Sequence, residues 1–120
     1  MKKLLLSTIA AAGFTLGVSA QTKALQVAKV STPTIQCDMC KTRIEQYLKR
    51  IDGVTFVNVA VKKKEVTVKY LSDRTNVEMI KASIANAGYD AAEIAANPDS
   101  YKLLPKCCKK PEDGGGMPKQ

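Results

Sequence analysis

Apolar and polar residues follow one another along this chain with two different periods. Residues 26–35 are rich in β-branched side chains, and apolar residues alternate with polar or small ones through 54–61 and 66–70, which predicts three strands. Elsewhere apolar residues recur at i, i+3, i+4 and i+7, which predicts two amphipathic helices. Their apolar stripes are, in the first helix, Ile44, Tyr47, Leu48 and Ile51 and, in the second, Val77, Ile80, Ile84 and Ala87.

The order of these elements predicts the fold class. Asp52-Gly53 ends the first helix with a turn, and Thr75 with Glu78 fits a capping box that begins the second. A short fourth strand is expected within residues 89–96, although this Ala-rich sequence is a weak strand former. The order β-α-β-β-α-β is typical of an α+β, ferredoxin-like βαββαβ sandwich, a four-stranded antiparallel sheet with two helices on one face.

The first 20 residues have the pattern of a secretory signal peptide. Two lysines precede an apolar run over residues 4–18, and Val18-Ser19-Ala20 supplies small residues for cleavage before Gln21. The apolar run is shorter than the roughly 20 residues of a membrane span. We therefore expect a periplasmic or secreted protein with no stable membrane span after cleavage.

The remaining residues divide into three parts. Residues 21–25 form a polar leader, residues 26–96 hold the predicted folded domain, and a basic Pro- and Gly-rich tail occupies 97–120. The tail carries Cys107-Cys108 and is expected to be flexible and mostly unstructured. One domain is the expectation at this length, and a monomer is expected.

Composition excludes several classes of protein. The chain has 120 residues, 19 basic and 11 acidic, with a formal net charge of +8, four Cys and no His. Without His, Ser-His-Asp and Cys-His nucleophile pairs, HExxH proteases and Cys-His zinc fingers are impossible. Two Phe, four Tyr and no Trp are too few rings for a base-stacking platform, so no nucleic-acid partner is expected. The basic residues are interpreted mainly as solvated faces; the alternative is a surface that docks an acidic partner or lipid headgroups.

The motif CDMC at residues 37–40 lies where the first strand gives way to the first helix. A helix N-terminus favours the thiolate forms of Cys37 and Cys40, and thiolates are the forms that bind metal. Two thiolates suit soft ions of low coordination such as Cu(I), and by the same argument Hg(II), whereas structural Zn(II) requires four ligands. The same spacing also occurs in redox sites, zinc ribbons and plain disulfides.

Three segments resemble the heavy-metal-associated domain family. They are TIQCDMC at residues 34–40, IDGV at 51–54 and AGYD at 87–90, and the resemblance covers about residues 26–95. The family includes soluble copper chaperones, modules of metal-exporting P-type ATPases and periplasmic mercury-binding proteins. The resemblance implies that Cys37 and Cys40 bind the metal and that Tyr89 packs against the metal loop without ligating. The Gly and Met that the family places before the first Cys are Thr34 and Ile35 here; Ile35 is expected to take over the packing role of the Met.

Cys107 and Cys108 lie outside the family domain. Adjacent cysteines on a flexible tail can return to Cys37 and Cys40 and complete a site of three or four thiolates. Such a site could also bind Zn(II) or Cd(II). The alternative is a disulfide between them or with the other pair. Met39 is interpreted either as a cap over a soft ion or as an apolar cover for the loop.

Our leading hypothesis is an exported carrier of a soft metal ion, Cu(I) or Hg(II), which is not an enzyme. It passes the ion by ligand exchange to a membrane metal transporter or to another thiolate metal carrier. Its candidate ligands are Cys37 and Cys40, joined by Cys107 and Cys108 if the tail returns. Two alternatives stay open: a thiol-disulfide redox protein that uses Cys37 and Cys40, and a ferredoxin-like module that binds a partner through its basic face.

Overall fold

A computed structural model describes residues 25–115, and three antiparallel strands form its sheet in the order β1-β3-β2. The predicted signal peptide, the leader up to residue 24 and residues 116–120 lie outside the described residues. The elements are β1 (Leu25–Ser31), α1 (Asp38–Lys49), β2 (Val54–Ala60), β3 (Glu65–Leu71), α2 (Val77–Ala87) and α3 (Pro98–Lys102), followed by 3₁₀ turns at Lys106–Cys108 and Pro111–Asp113.

One face of the sheet and the two long helices enclose a single core. Val66 at the centre of the sheet pairs with Val30 of β1 and Val59 of β2, and all three side chains are buried. Helices α1 and α2 lie side by side, and the predicted stripes face the core. Five stripe residues are buried and three are partly buried; the buried ones are Ile44, Leu48, Ile80, Ile84 and Ala87, and the partly buried ones are Tyr47, Val77 and Ile51, the last of which follows the end of α1. The helical periodicity therefore identified the packing faces correctly, because those faces are buried together.

The predicted fourth strand is not formed. Within residues 89–96 the structure shows only an isolated bridge between Ala91 and Ile94, and the backbone N–H of Ala92 donates to the carbonyl of Ser31 at 2.8 Å. Ala92 has a positive φ of 52°, so the chain turns away from β1 after this one hydrogen bond. A run of Ala and Glu offers few β-branched side chains to extend the ladder. The described sheet is consistent with a ferredoxin-like arrangement that has three strands instead of four.

The hairpin between β2 and β3 supports the loop that follows β1. Lys64 adopts the left-handed conformation with φ of 52°, the position that glycine commonly fills in such turns. The Lys64 carbonyl accepts a hydrogen bond from the N–H of Thr32 at 2.7 Å, and its Nζ donates to the carbonyl of Ile35. Lys64 thus fills the turn position and also holds the segment between β1 and Cys37 in place.

Helix α2 begins one residue later than the capping box predicts. Asn76 is the N-cap, and its side-chain oxygen accepts from the N–H of Met79 at 2.9 Å. Asn is a stronger N-cap than Thr, and Thr75 lies buried just before it. Gly88 ends the helix in the left-handed conformation with φ of 107°.

The prediction of an unstructured tail is wrong for the described residues 97–115. Asn97 caps α3, and its N–H donates to the carbonyl of Ala85 at the end of α2. Leu104 is only 4% exposed, and its side chain packs so closely over Gly88 that a Cβ atom on Gly88 would lie 3.1 Å from the Cγ of Leu104. The segment is ordered because it buries a leucine against a glycine, a contact between distant residues that no local pattern reveals.

Within residues 25–115 we find no helix of the length and apolar character needed to cross a membrane.

Replacing Leu104 by Ala is expected to weaken the packing of the C-terminal segment. We expect a loss of about 2 kcal/mol in unfolding free energy, the lower end for a buried leucine, because the segment can detach without unfolding the domain. Urea unfolding and hydrogen exchange over residues 97–109 measure the two effects. Leu103 is 78% exposed and provides the matched control, since Leu103→Ala should change stability by less than about 0.5 kcal/mol. Equal losses in the two variants would contradict the anchoring role of Leu104.

Candidate metal centre

The first turn of α1 brings two cysteines together. Cys37 is the N-cap residue, and its carbonyl accepts hydrogen bonds from the N–H groups of Cys40 and Lys41 at 3.1 and 3.3 Å. The two residues stand three positions apart, so their side chains leave the same side of the helix. Their Sγ atoms are 3.5 Å apart, and both residues are buried.

The C-terminal segment returns to these thiols. The Sγ of Cys37 lies 3.4 Å from that of Cys107 and 3.7 Å from that of Cys108. The turn that carries them is closed by a hydrogen bond from the N–H of Cys108 to the carbonyl of Pro105 at 2.9 Å. The structure thus brings all four sequence-predicted cysteines together, and all four are free thiols.

The sulfur atoms form an inner and an outer group. The inner group is Cys37, Cys40 and Cys108, whose Sγ atoms all lie within 4.8 Å of one another and are buried. The outer group is half-buried Cys107, 3.9 Å from the Cys108 sulfur, and Met39, whose sulfur is 3.5 Å from that of Cys107. We refer to these five residues as the sulfur cluster. Met39 is 57% exposed, so the outer group is the side of the cluster that faces solvent.

The pKa values of three thiols in the cluster are shifted in different directions. Burial works against ionisation of Cys37, but a backbone hydrogen bond with Cys40 and hydrogen bonds with the neighbouring thiols outweigh it, so the pKa of Cys37 lies below its ordinary value. The pKa of Cys108 is raised mainly by burial, and that of Cys107 mainly by its hydrogen bond with Cys37. Of these three thiols, that of Cys37 therefore becomes a thiolate most readily.

Tyr89 encloses the inner group from the side of α2. Its side chain is fully buried, and its hydroxyl has no hydrogen-bond partner among the nitrogen and oxygen atoms of the described residues. Burial, followed by the thiols of Cys108 and Cys40, raises the pKa of Tyr89 far above its ordinary value. The ring packs in the same core cluster as Cys40 and Cys108, and its buried hydroxyl stays neutral.

Comparison with known proteins agrees with this geometry. Residues 29–90, slightly more than half of the chain, match the Heavy-metal-associated domain. The chain belongs to the heavy-metal-associated domain family. Cys37 and Cys40 lie inside the matched residues, whereas Cys107 and Cys108 lie beyond them.

Several relatives of this heavy-metal-associated domain carry names that describe metal handling. A copper chaperone CopZ of Staphylococcus haemolyticus is 34% identical over 61 residues, which are 51% of this chain and 90% of the relative. A mercuric transport protein periplasmic component of Pseudomonas fluorescens is 30% identical over 92 residues, 77% of this chain and 97% of the relative. Among solved structures, a CopZ metallochaperone is similar with a TM-score of 0.55 and 30% identity, over 56% of this chain and all of that one.

Two long-range hydrogen bonds that sequence reasoning missed hold the metal loop of this heavy-metal-associated domain. The hydroxyl oxygen of Thr34 accepts from the N–H of Asp90 at 3.0 Å, and Nε of Arg43 donates to the carbonyl of Ala87 at 2.9 Å. The paired residues are 56 and 44 positions apart, so no local motif signals either contact. Ile35 is fully buried beside this loop, in agreement with the packing role expected for it.

Replacing Tyr89 by Phe should have opposite effects on the metal-free and metal-loaded protein. Removing a buried hydroxyl without a partner should raise the unfolding free energy of the metal-free protein by about 1 kcal/mol. Loss of a donor to thiolate should lower the affinity for a thiolate-bound ion about tenfold, since hydrogen bonds to charged groups are worth about 1.5–3 kcal/mol. Urea unfolding and competition titrations measure the two quantities.

Tyr70→Phe is the matched control for this prediction, because Tyr70 lies at the other end of β3 from Glu65 and the metal loop. It should leave metal affinity unchanged. An unchanged affinity in Tyr89→Phe as well would contradict a donor role for the Tyr89 hydroxyl.

Proposed function

We propose that this protein is an exported carrier of a soft metal ion, Cu(I) or Hg(II), which it holds through Cys37 and Cys40 and passes on by ligand exchange. The observation that carries the proposal is the 3.5 Å approach of these two sulfurs on the first turn of α1 in a heavy-metal-associated domain. The relatives named as a copper chaperone and as a mercuric transport component support the same class of cargo.

The chemistry of the two thiols favours soft ions over hard ones. Thiolates bind Cu(I) and other soft ions strongly, and a pair of them satisfies an ion that accepts two ligands. The lowered pKa of Cys37 favours its thiolate form, and metal binding displaces the protons that the ligating thiols still carry. The helix N-terminus adds partial positive charge where the thiolates form.

Transfer needs no catalytic residue. A thiolate of the partner adds to the bound ion and forms a third metal–sulfur bond, after which the bond to Cys37 or Cys40 breaks. A second thiolate of the partner then displaces the remaining cysteine in the same way, and each released thiolate takes up a proton. The oxidation state of the metal does not change. We propose a membrane metal transporter, or another thiolate metal carrier, as the partner that supplies the incoming thiolate.

The surface beside α1 suits a partner of negative charge. A cleft next to the metal loop is lined by the basic residues Lys41, Lys62 and Lys63, with Asp38 as its acidic member. Cleavage before Gln21 removes Lys2 and Lys3 from the whole-chain charge of +8 and leaves a formal net charge of +6. Complementary charge raises the rate of encounter and orients the partner. We therefore propose this cleft as the docking surface for an acidic domain of the partner.

The first prediction from this function concerns metal binding. Under anaerobic conditions the reduced protein should bind Cu(I) and Hg(II) in competition with a small thiol, and Cys37→Ser with Cys40→Ser should abolish that binding. Competition titrations with mass spectrometry give affinity and stoichiometry, and circular dichroism shows whether the variant remains folded. Thr42→Ser is the matched control, because Thr42 lies on the same helix and its hydroxyl donates to the backbone carbonyl of Asp38, a hydrogen bond that serine can also make.

A different result would favour the redox alternative. Cys37 has a lowered pKa beside three other thiols, and a thiol-disulfide exchange protein also requires such a thiolate. If neither ion competes successfully with a small thiol while the protein exchanges disulfides at a defined potential, the carrier proposal is wrong.

The second prediction concerns export. When the complete chain is expressed in a Gram-negative bacterium, the periplasmic fraction should contain a protein that begins at Gln21. Ala20→Arg should block cleavage, because signal peptidase sites require a small residue at that position. Intact mass and N-terminal sequencing measure the outcome, and an uncleaved chain in the cytoplasm would contradict export.

A further inference from the structure

The inner sulfurs of the cluster are spaced for more than two ligands. With metal–sulfur bonds of about 2.3 Å, two thiolates on opposite sides of an ion stand about 4.6 Å apart, and three around it stand about 4.0 Å apart. The Cys37 sulfur is 3.5 Å from that of Cys40 and 3.7 Å from that of Cys108, and no pair of the three exceeds 4.8 Å. The separations of 3.5 and 3.7 Å lie closer to the three-thiolate arrangement than to the linear one.

We propose that Cys108 is a third metal ligand, and that the chain binds divalent d¹⁰ ions of the Zn(II), Cd(II) and Hg(II) class through Cys37, Cys40 and Cys108. This inference rests on the proposed function and extends its two-thiolate site. Cu(I) is satisfied by two thiolates, whereas Zn(II) is held poorly by two and normally takes four ligands. The third thiolate therefore widens the range of ions that the site retains.

The position of Cys108 is fixed by the fold and does not depend on chance contact of a tail. Cys108 is 1% exposed in a hydrogen-bonded turn, and Leu104 anchors the chain four residues earlier. A ligand that is already in place loses little conformational freedom when the ion binds. The residues that match the heavy-metal-associated domain end at position 90, so this ligand comes from the part of the chain that follows the domain.

The hydroxyl of Tyr89 provides an independent reason for thiolate at this position. Buried donors in folded proteins are almost always satisfied, yet this hydroxyl has no nitrogen or oxygen partner among the described residues. The thiols of Cys108 and Cys40 help to raise its pKa and so lie near it, but no hydrogen bond joins them to the hydroxyl. A neutral thiol is a weak acceptor, whereas a metal-bound thiolate is a strong one, so loading the site supplies the acceptor that the hydroxyl lacks.

A route for the ion reaches the third ligand. A cleft of about 260 Å³ runs between α1 and the C-terminal segment, and Cys108, Met39, Arg43 and Pro105 are among its lining residues. The outer sulfurs of Met39 and Cys107 stand at the solvent side of the cluster. An arriving soft ion can thus meet exposed sulfur first and then move to the buried thiolates.

Cd(II) titration of the reduced full chain tests the assignment. We compare the wild type with Cys108→Ser and with Cys107→Ser, which removes the adjacent outer thiol and leaves the three inner thiols in place, so the pair identifies which of the two neighbours is the ligand. Cd(II)–thiolate charge-transfer absorbance should report three thiolates in the wild type and in Cys107→Ser but two in Cys108→Ser. The Cd(II) affinity of Cys108→Ser should fall by at least about 10–100-fold, the range that loss of even an outer-shell partner produces.

Each contrary result has a definite meaning. Unchanged Cd(II) binding in Cys108→Ser, or an equal loss in Cys107→Ser, would overturn the third-ligand assignment. Cu(I) should still bind Cys108→Ser, so failure of the third-ligand assignment would leave the proposed carrier function intact. A wild type that binds neither Cu(I), Hg(II) nor Cd(II) would refute both proposals.

A second measurement avoids dependence on a folded variant. X-ray absorption of the wild type loaded with one Cd(II) should find three sulfurs around the ion. Two or four sulfurs would overturn the three-thiolate set.

Discussion

The thiols of this protein are placed by the burial of the apolar residues next to them in the chain. Ile35 precedes Cys37 and Ile44 follows Cys40, and both isoleucines are fully enclosed in the core. The loop between them cannot shift without exposing one of the two side chains, at a cost of roughly 1.5–3 kcal/mol each. The geometry of the metal loop is therefore a consequence of core packing, and the hydrogen bonds from Lys64 and to Thr34 add direction to a position that is already fixed.

This dependence explains which features were accessible from the sequence. Helical periodicity located α1 and α2 and their buried faces, and the spacing of Cys37 and Cys40 located the pair at a helix start, because these signals arise within one turn or one strand. The prediction of a fourth strand was wrong because such a strand depends on pairing with β1, and Ala92 turns the chain away after a single hydrogen bond. Composition suggested a loose tail, but the fit of Leu104 against Gly88 outweighs the local preference of its prolines and glycines.

The sulfur cluster combines two requirements that usually oppose one another. An ion is retained best when its ligands are buried and numerous, and it is released best when one side stays open to an incoming thiolate. Here the inner sulfurs are enclosed by α1, Tyr89 and the C-terminal segment, while Met39 and Cys107 remain toward solvent. The division places retention and access on different sides of the same group of atoms.

The anchoring of the C-terminal segment has a kinetic consequence. If Cys108 holds the ion together with Cys37 and Cys40, complete release requires the segment to lift away, and the frequency of lifting depends on the local stability of its contacts. Leu104 and Gly88 set much of that stability, yet neither residue contributes a sulfur. The residence time of the cargo can therefore be lengthened or shortened by substitutions remote from every ligand, so that the same thiolates could serve either a storage protein or a rapid shuttle.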